Sequence, residues 1–214
     1  MKKHDAIIFD LDGTLWDASN ATAAGYNAAL VDQGFPELQI TADQVRGISG
    51  LPFDECIVRL FGHVGQVDHE SLTAVIDAAE KRVVESTGGT LFEGVKAGIE
   101  VLAKEYPLFL VSNCQSWYLE SFWAHSGIKI YFLDEDCFGH SNNPKSEMIK
   151  RISAQYSLKQ PIYIGDTHWD QQASHAAGVT YGQVDYGFGQ AIEPELSFSN
   201  FTQLVHWLQG KASD

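Results

Sequence analysis

Positive charge is what this sequence has least of: 14 lysines and arginines stand against 28 aspartates and glutamates, a formal net charge of −14. A surface of that sign repels phosphate backbones and anionic lipid headgroups, so neither nucleic acid nor a membrane is expected as a partner. A small anionic substrate stays open, because one lysine and a bound cation invert the field locally. Cysteine is scarce too. Cys56, Cys114 and Cys137 are odd in number, far apart and in no CxxC spacing, which excludes a disulfide framework or zinc site from the expectation and points to reduced thiols in the cytoplasm. No apolar run is long enough to cross a bilayer, and no signal-like region precedes the first apolar segment, so the expected location is again cytoplasmic. Internal repeats and low-complexity tracts are absent. Hydrophobic residues at 44% and aromatics at 12% are ample for a packed core, in one large domain or a medium one carrying an insertion.

Apolar residues gather in short runs. Ile7-Ile8-Phe9 reads as a strand buried on both faces, followed at once by Asp10-Leu11-Asp12-Gly13-Thr14. Further strands are predicted at 108–111, 128–133, 162–164 and 179–184. Helices fall between them: one through Val95, Ile99 and Leu102, one through Leu119 and Trp123, one over 146–156 and one over 170–177. Strands alternating with helices imply right-handed βαβ units, hence an α/β fold with a Rossmann-like three-layer parallel sheet.

Residues 17–87 break that alternation. They carry a helix over 20–33 with Ala24, Ala28 and Val31 on its apolar face and Gly34 as its stop, then a Thr41-capped helix to Arg46. A Gly47–Pro52 turn, a helix over 53–61 and a longer one over 68–85 follow, with no convincing strand. The predicted organisation is a catalytic core from 1–16 and 88–214 and an inserted α-helical cap domain, 17–87. The insertion point follows the first strand, where a lid over the strands' carboxyl ends would be rooted.

A buried strand seldom ends in two acids without partners, because ionised carboxylates are costly to desolvate. Such a pair suggests a metal site, an acid–base pair or a carboxylate nucleophile. Ligands of open α/β sheets gather outside the carboxyl ends of parallel strands, so the residues following each strand should converge. These are Asp10 and Asp12, then Ser112-Asn113, then Gly165-Asp166 with Asp170 four residues on, while Lys145 opens a helix before the last of them. Carboxylate oxygens suit Mg2+, which shares phosphate oxygens with its protein ligands. A carboxylate can attack phosphorus to form an aspartyl-phosphate. A hydroxyl beside backbone amides suits phosphate oxygens, and a lysine offsets their charge. The set fits phosphoryl transfer.

The run DLDGTL, then Val111-Ser112-Asn113, Lys145 and the run GDTHWD at 165–170 occur in that order. They resemble the four signature motifs of the haloacid dehalogenase superfamily. Ala176-Ala177-Gly178-Val179, with Val184-Asp185-Tyr186-Gly187-Phe188-Gly189, is similar to its phosphoglycolate-phosphatase-like and β-phosphoglucomutase-like branch. The resemblance implies a Mg2+-dependent phosphatase acting on a small phosphorylated metabolite, as a monomer or homodimer. It implies Asp10 as nucleophile and metal ligand, and Asp12 as general acid/base with its backbone carbonyl on the metal. Ser112 and the amide of Asn113 would hold the phosphate, and Lys145 would bridge phosphate and Asp10. Asp166 would be the second side-chain metal ligand, supported by Asp170 directly or through water.

Two positions depart from the pattern. Proline precedes Lys145 rather than following it, which leaves Lys150 as a rival, and Trp16 stands where a small aliphatic residue is usual, altering the hinge or the site mouth. A phosphomutase shares all four motifs and is the alternative reading. A dehalogenase needs no leaving-group acid such as Asp12, phosphonate cleavage would need a better-placed cap lysine than Lys81, and a receiver-type signalling domain has no place for the helical insertion. Other conspicuous side chains are assigned to structure. His63, His69, His125, His140 and His175 show no metal-like spacing. His168 and Trp169 are read as structural or surface, the aromatics from Trp117 to Trp123 as core, and Arg46 as a solvated arginine, a substrate carboxylate or second phosphate being its alternative contact.

Overall fold

The computed structural model describes residues 3–62 and 69–211. Strand β1 (Ala6–Phe9) is buried along its whole length. After it come β2 (Trp16–Asp17), helices α1 (Ser19–Asp32), α2 (Ala42–Arg46), α3 (Phe53–Phe61) and α4 (His69–Thr87), and β3 (Thr90–Leu91), which pairs antiparallel with β2. Then follow α5 (Val95–Leu102), β4 (Leu108–Ser112), α6 (Ser116–Ser126), β5 (Asp134–Cys137), α7 (Phe138–Ser141), α8 (Lys145–Gln155) and β6 (Pro161–Gly165). The elements α9 (His168–Ala176), β7 (Thr180–Val184), β8 (Ser197–Phe198) and α10 (Phe201–Leu208) complete the order. Six strands form one parallel sheet, β5-β4-β1-β6-β7-β8.

Alternate residues of each strand feed opposite layers, as the two-residue period requires. Ile7, Phe9, Leu108, Leu110, Ile162 and Ile164 join the core formed with α5, α6 and α10. Ala6, Ile8, Phe109, Val111 and Tyr163 pack against Met148, Ile149 and Ile152 of α8 on the other face. This is the predicted three-layer α/β architecture. The helices between β2 and β3 bury a core of their own, in which Tyr26, Leu30, Ile57, Phe61, Leu72 and Ile76 meet. Each such side chain contributes about 1.5–3 kcal/mol on burial. Gly25 lets α1 and α4 touch backbone to backbone: a Cβ there would lie 2.5 Å from Glu80 Cα. Among the described residues no helix is long and apolar enough to cross a membrane.

Several local expectations change. The run 128–133, predicted as a strand, is a buried Ile128 and a 3-10 turn (Lys129–Tyr131), and β5 starts only after it, at Asp134. Ile130 and Leu133 are 82% and 58% exposed, so that apolar run is not a buried strand. β5 is an edge strand, and edges tolerate charge that blunts further pairing; Asp136 on it accepts from Arg151 Nε at 2.8 Å. On α1 the buried face is Thr22, Gly25, Tyr26 and Ala29, whereas Ala24, Ala28 and Val31 face out. Alanines carry little apolar area, so the large Tyr26 and the close approach at Gly25 decide the rotation. Helix α9 begins at His168, not Asp170, because Thr167 caps it in a capping box with Asp170 at N3. The short β2–β3 ribbon, β8 and α10 had no counterpart in the predicted elements. The predicted helix start at Asp68, and His63, lie outside the described residues.

Candidate active site

β1 and β6 are parallel neighbours with Phe9 opposite Ile164, so Asp10 and Asp166 leave the sheet side by side. Asp10 is locked to that edge by its own amide, which donates to Ile164 O at 2.8 Å. Pro144 occupies the N-cap of α8, where its missing N–H is no loss, and Lys145 is the first helical residue. The reversed proline–lysine order is therefore accommodated locally. Lys145 Nζ donates to Asp10 Oδ1 at 2.7 Å and to Asp170 Oδ1 at 2.6 Å, all three side chains being buried. Lys150 pairs instead with Glu147 at 2.8 Å on the surface.

Asp170 has both oxygens engaged. Its Oδ2 accepts from Thr167 N at 3.0 Å and from Thr167 Oγ1 at 2.6 Å, so the cap of α9 holds the carboxylate against Lys145. The Tyr163 hydroxyl donates to Val111 O at 3.0 Å and lies 3.4 Å from both Asp10 Oδ1 and Asp170 Oδ1. Asp166 Oδ2 accepts from the Phe188 amide at 2.7 Å. Its position depends on glycine: a Cβ at Gly13, whose φ is +80°, would stand 2.1 Å from Asp166 Oδ2, and one at Gly187 would stand 2.3 Å from Asp166 Cβ.

Among the described residues, Asp10, Asp166 and Asp170 form the one cluster arranged for a metal ion, each offering an oxygen within 4.8 Å of the others. Three buried carboxylates share one lysine. Burial, then the charge of Asp170, raises the Asp10 carboxyl against the pull of Lys145, and Asp166 is raised for the same first two reasons. Burial opposes charge on Lys145 as well, but Asp10 and Asp170 outweigh it and hold the ammonium protonated. The donor set is hard, oxygen-only and short of positive charge, which fits a divalent cation such as Mg2+.

Asp12 points to different neighbours. Burial lifts it to about 6, moderated by a hydrogen bond from the Tyr118 hydroxyl at 2.6 Å and by Lys145. Ser112 ends β4, buried, with its Oγ accepting from Cys114 N at 3.3 Å. Asn113 Nδ2 donates to Gly50 O at 2.7 Å, joining the strand end to the turn between α2 and α3. Asp10, Asp12, Ser112 and Asn113 thus line a pocket whose other walls come from α1, α3, α4, α6 and that turn.

Every predicted site residue gathers in this region, but Lys145, Asp166 and Asp170 cluster beside Asp10 and do not themselves line the pocket. Tyr118 was expected as core, and its ring is buried, but its hydroxyl reaches Asp12. Trp117 likewise spans outward, donating from Nε1 to Asp77 on α4 at 3.0 Å. Trp16, on β2, is buried and packs edge-on to Tyr118 and Phe122, with centroids 5.8 and 5.2 Å apart. The signal for Tyr118 was its place on the first turns of the helix after Ser112. Arg46 is not a free surface arginine either. It donates to Asp17 at 2.8 Å and Asp43 at 2.6 Å, tying α2 to β2. His168 and Trp169 are half-buried with their ring centroids 4.0 Å apart.

The molecule is a parallel α/β fold whose sheet ends in an acidic, lysine-bridged edge. A profile of haloacid dehalogenase-like hydrolases matches residues 7–184, and the chain belongs to that family. The phosphoglycolate phosphatase of Rhodobacter capsulatus is 27% identical over 215 residues, covering 96% of this chain and 97% of that protein. That of Yersinia pestis is 27% identical over 216 residues, covering 93% and 90%. A haloacid dehalogenase-like hydrolase from Streptococcus pneumoniae superposes with a TM-score of 0.85 at 21% identity, over 98% of this chain and all of that one, and so shares the fold. Within its family the chain is a hydrolase of phosphatase type, similar to the phosphoglycolate phosphatases.

Proposed function

We propose that the protein is a Mg2+-dependent phosphatase that hydrolyses a small phosphate monoester through an aspartyl-phosphate on Asp10. Residues 17–87 act as a helical cap over a core formed by 1–16 and 88–214. The observation that carries this reading is the Lys145 ammonium held between Asp10 and Asp170 beside Asp166, at 2.7 and 2.6 Å. A carboxylate so paired is oriented, and kept available as a nucleophile, at the edge where a substrate can reach it.

Asp10 and Asp166, with the backbone carbonyl of Asp12, would hold Mg2+, and Asp170, whose oxygens are committed to Lys145 and Thr167, supports them from behind. When bound, Mg2+ supplies charge neutralisation for the phosphoryl oxygens. A carboxylate oxygen of Asp10 attacks phosphorus in line as the ester P–O bond breaks, and Asp12 gives its proton to the departing alkoxide. Asp12 then takes a proton from water, whose oxygen attacks phosphorus and releases phosphate and the free Asp10 carboxylate. Its burial-raised value of about 6 suits a group that must be acid in one half-reaction and base in the next. Ser112, the Asn113 amide and Lys145 hold the transferring phosphoryl group. Contacts from Asn113 to Gly50 and from Trp117 to Asp77 hold the cap down and help keep water from the first step.

Asp10→Asn should lower turnover of an aryl phosphate in Mg2+ by about 10³-fold or more. Substantial turnover by this variant would overturn the reading. Product analysis with a hexose phosphate separates it from a phosphomutase: free phosphate is expected, not an isomerised sugar phosphate.

A further inference from the structure

The pocket above Asp10 and Asp12 has an acid that the reaction does not use. Glu80, on α4, is 4% exposed and lines the pocket beside Thr22, Tyr26 and Cys56. Its Oε1 accepts from Thr22 Oγ1 at 2.9 Å, its one hydrogen bond among the described residues. The backbone contact of α1 with α4 at Gly25 holds Glu80 there, since a Cβ at Gly25 would lie 2.5 Å from Glu80 Cα. None of the described residues lining the pocket is a lysine, arginine or histidine. Lys145 is committed to Asp10 and Asp170, and Arg46 to Asp17 and Asp43.

A buried carboxyl with one hydrogen bond is costly as mere filling. Beside empty space that a leaving group must occupy, it is a positioned hydrogen-bonding group. We propose that this pocket selects phosphate monoesters whose alcohol portion carries no second anion and presents a hydrogen-bond donor, a hydroxyl or an ammonium group, to Glu80. The inference rests on the phosphatase reading above. A carboxylate or second phosphate on the leaving group would be desolvated beside Asp12 with no side-chain cation among the described lining residues to pair with it. A donor instead satisfies Glu80, because a site built to pair a polar group rejects ligands that leave it unpaired. On this reading the substrate differs from phosphoglycolate, whose leaving group bears a carboxylate.

The test is kcat/KM in Mg2+ for matched esters: 2-phosphoglycolate against 2-hydroxyethyl and 2-aminoethyl phosphate, and 3-phosphoglycerate against glycerol 3-phosphate. The donor-bearing members should exceed the carboxylates at least tenfold, the hydroxyethyl-to-aminoethyl ratio telling which donor is read. Glu80→Gln should shrink that preference at least fivefold, its fold checked by thermal melting. Equal or better turnover of the carboxylates, or turnover of neither set, overturns the inference. Aryl phosphate turnover by the wild-type protein, lost in Asp10→Asn, shows separately whether the phosphatase reading stands.

Discussion

Replacing Glu80 by glutamine should stabilise the protein at neutral pH and flatten the pH dependence of its stability. Burial lifts this carboxyl from its ordinary 4.5 to about 8; the Thr22 hydrogen bond opposes the rise and the charges of Asp12 and Asp77 add to it. Between those two values the folded chain keeps a proton that the unfolded chain releases. Stability therefore falls as pH rises from 4.5 towards 8, by about 1.36 kcal/mol per pH unit. The loss is under about 1 kcal/mol at pH 5 and about 3 kcal/mol at pH 7. Glutamine keeps the shape and an acceptor for Thr22 but has no proton to lose. The other groups facing Glu80 are quiet in this window: burial raises Cys56 to about 12 and holds Tyr26 well above its usual value. Asp12 titrates in both proteins and largely cancels from the difference. Urea denaturation at pH 5, 6, 7 and 8, at fixed Mg2+, reads the effect directly. The two stability curves should meet near pH 5 and separate by about 3 kcal/mol at pH 7, equivalent to about 6–12 °C in Tm for a chain of this size. Parallel curves, or a variant less stable at pH 7, would show that Glu80 is ionised and well paired, and the reasoning would be wrong.

Two further perturbations probe the site. Tyr118→Phe removes the 2.6 Å donor to Asp12 but keeps the ring against Trp16. Asp12 should then rise further, so the alkaline limb of kcat/KM moves about one pH unit higher; an unmoved limb would mean the hydrogen bond does not tune the acid. Asn113→Ala keeps the backbone amide but loses the 2.7 Å contact with Gly50. KM should rise about fivefold, from roughly 1 kcal/mol of lost cap contact, with kcat nearly unchanged; a constant KM would detach that contact from substrate binding.

The residues at the strand ends were legible because a parallel sheet sends every strand's carboxyl end to one edge. Once Ile7–Phe9 and Ile162–Ile164 read as buried strands, Asp10 and Asp166 had to meet, whatever their separation in the chain. Ser112 followed by the same rule, whereas Lys145, the first residue of α8, was marked by the motif it resembles. The 128–133 run was misread because apolarity alone cannot tell a buried strand from a loop beside an edge, and the acidic strand that follows, β5, bears no strand signature at all. α1 was rotated wrongly because its alanines give almost no direction to a hydrophobic face.

Local pattern is enough to place the chemical groups at the sheet's edge: carboxylates, a lysine and a hydroxyl, each tied to a strand or helix end. What those groups face depends on the packing of the whole fold. Tyr118 reaches Asp12 because Trp16 packs against its ring, and Glu80 enters the pocket because Gly25 lets two helices touch. Neither pairing leaves a periodic or motif signal, since each depends on the rotation of one helix against another. Helix rotation is set by the packing of side chains distant in the chain, so the acidic edge is legible in the sequence and the pocket above it is not.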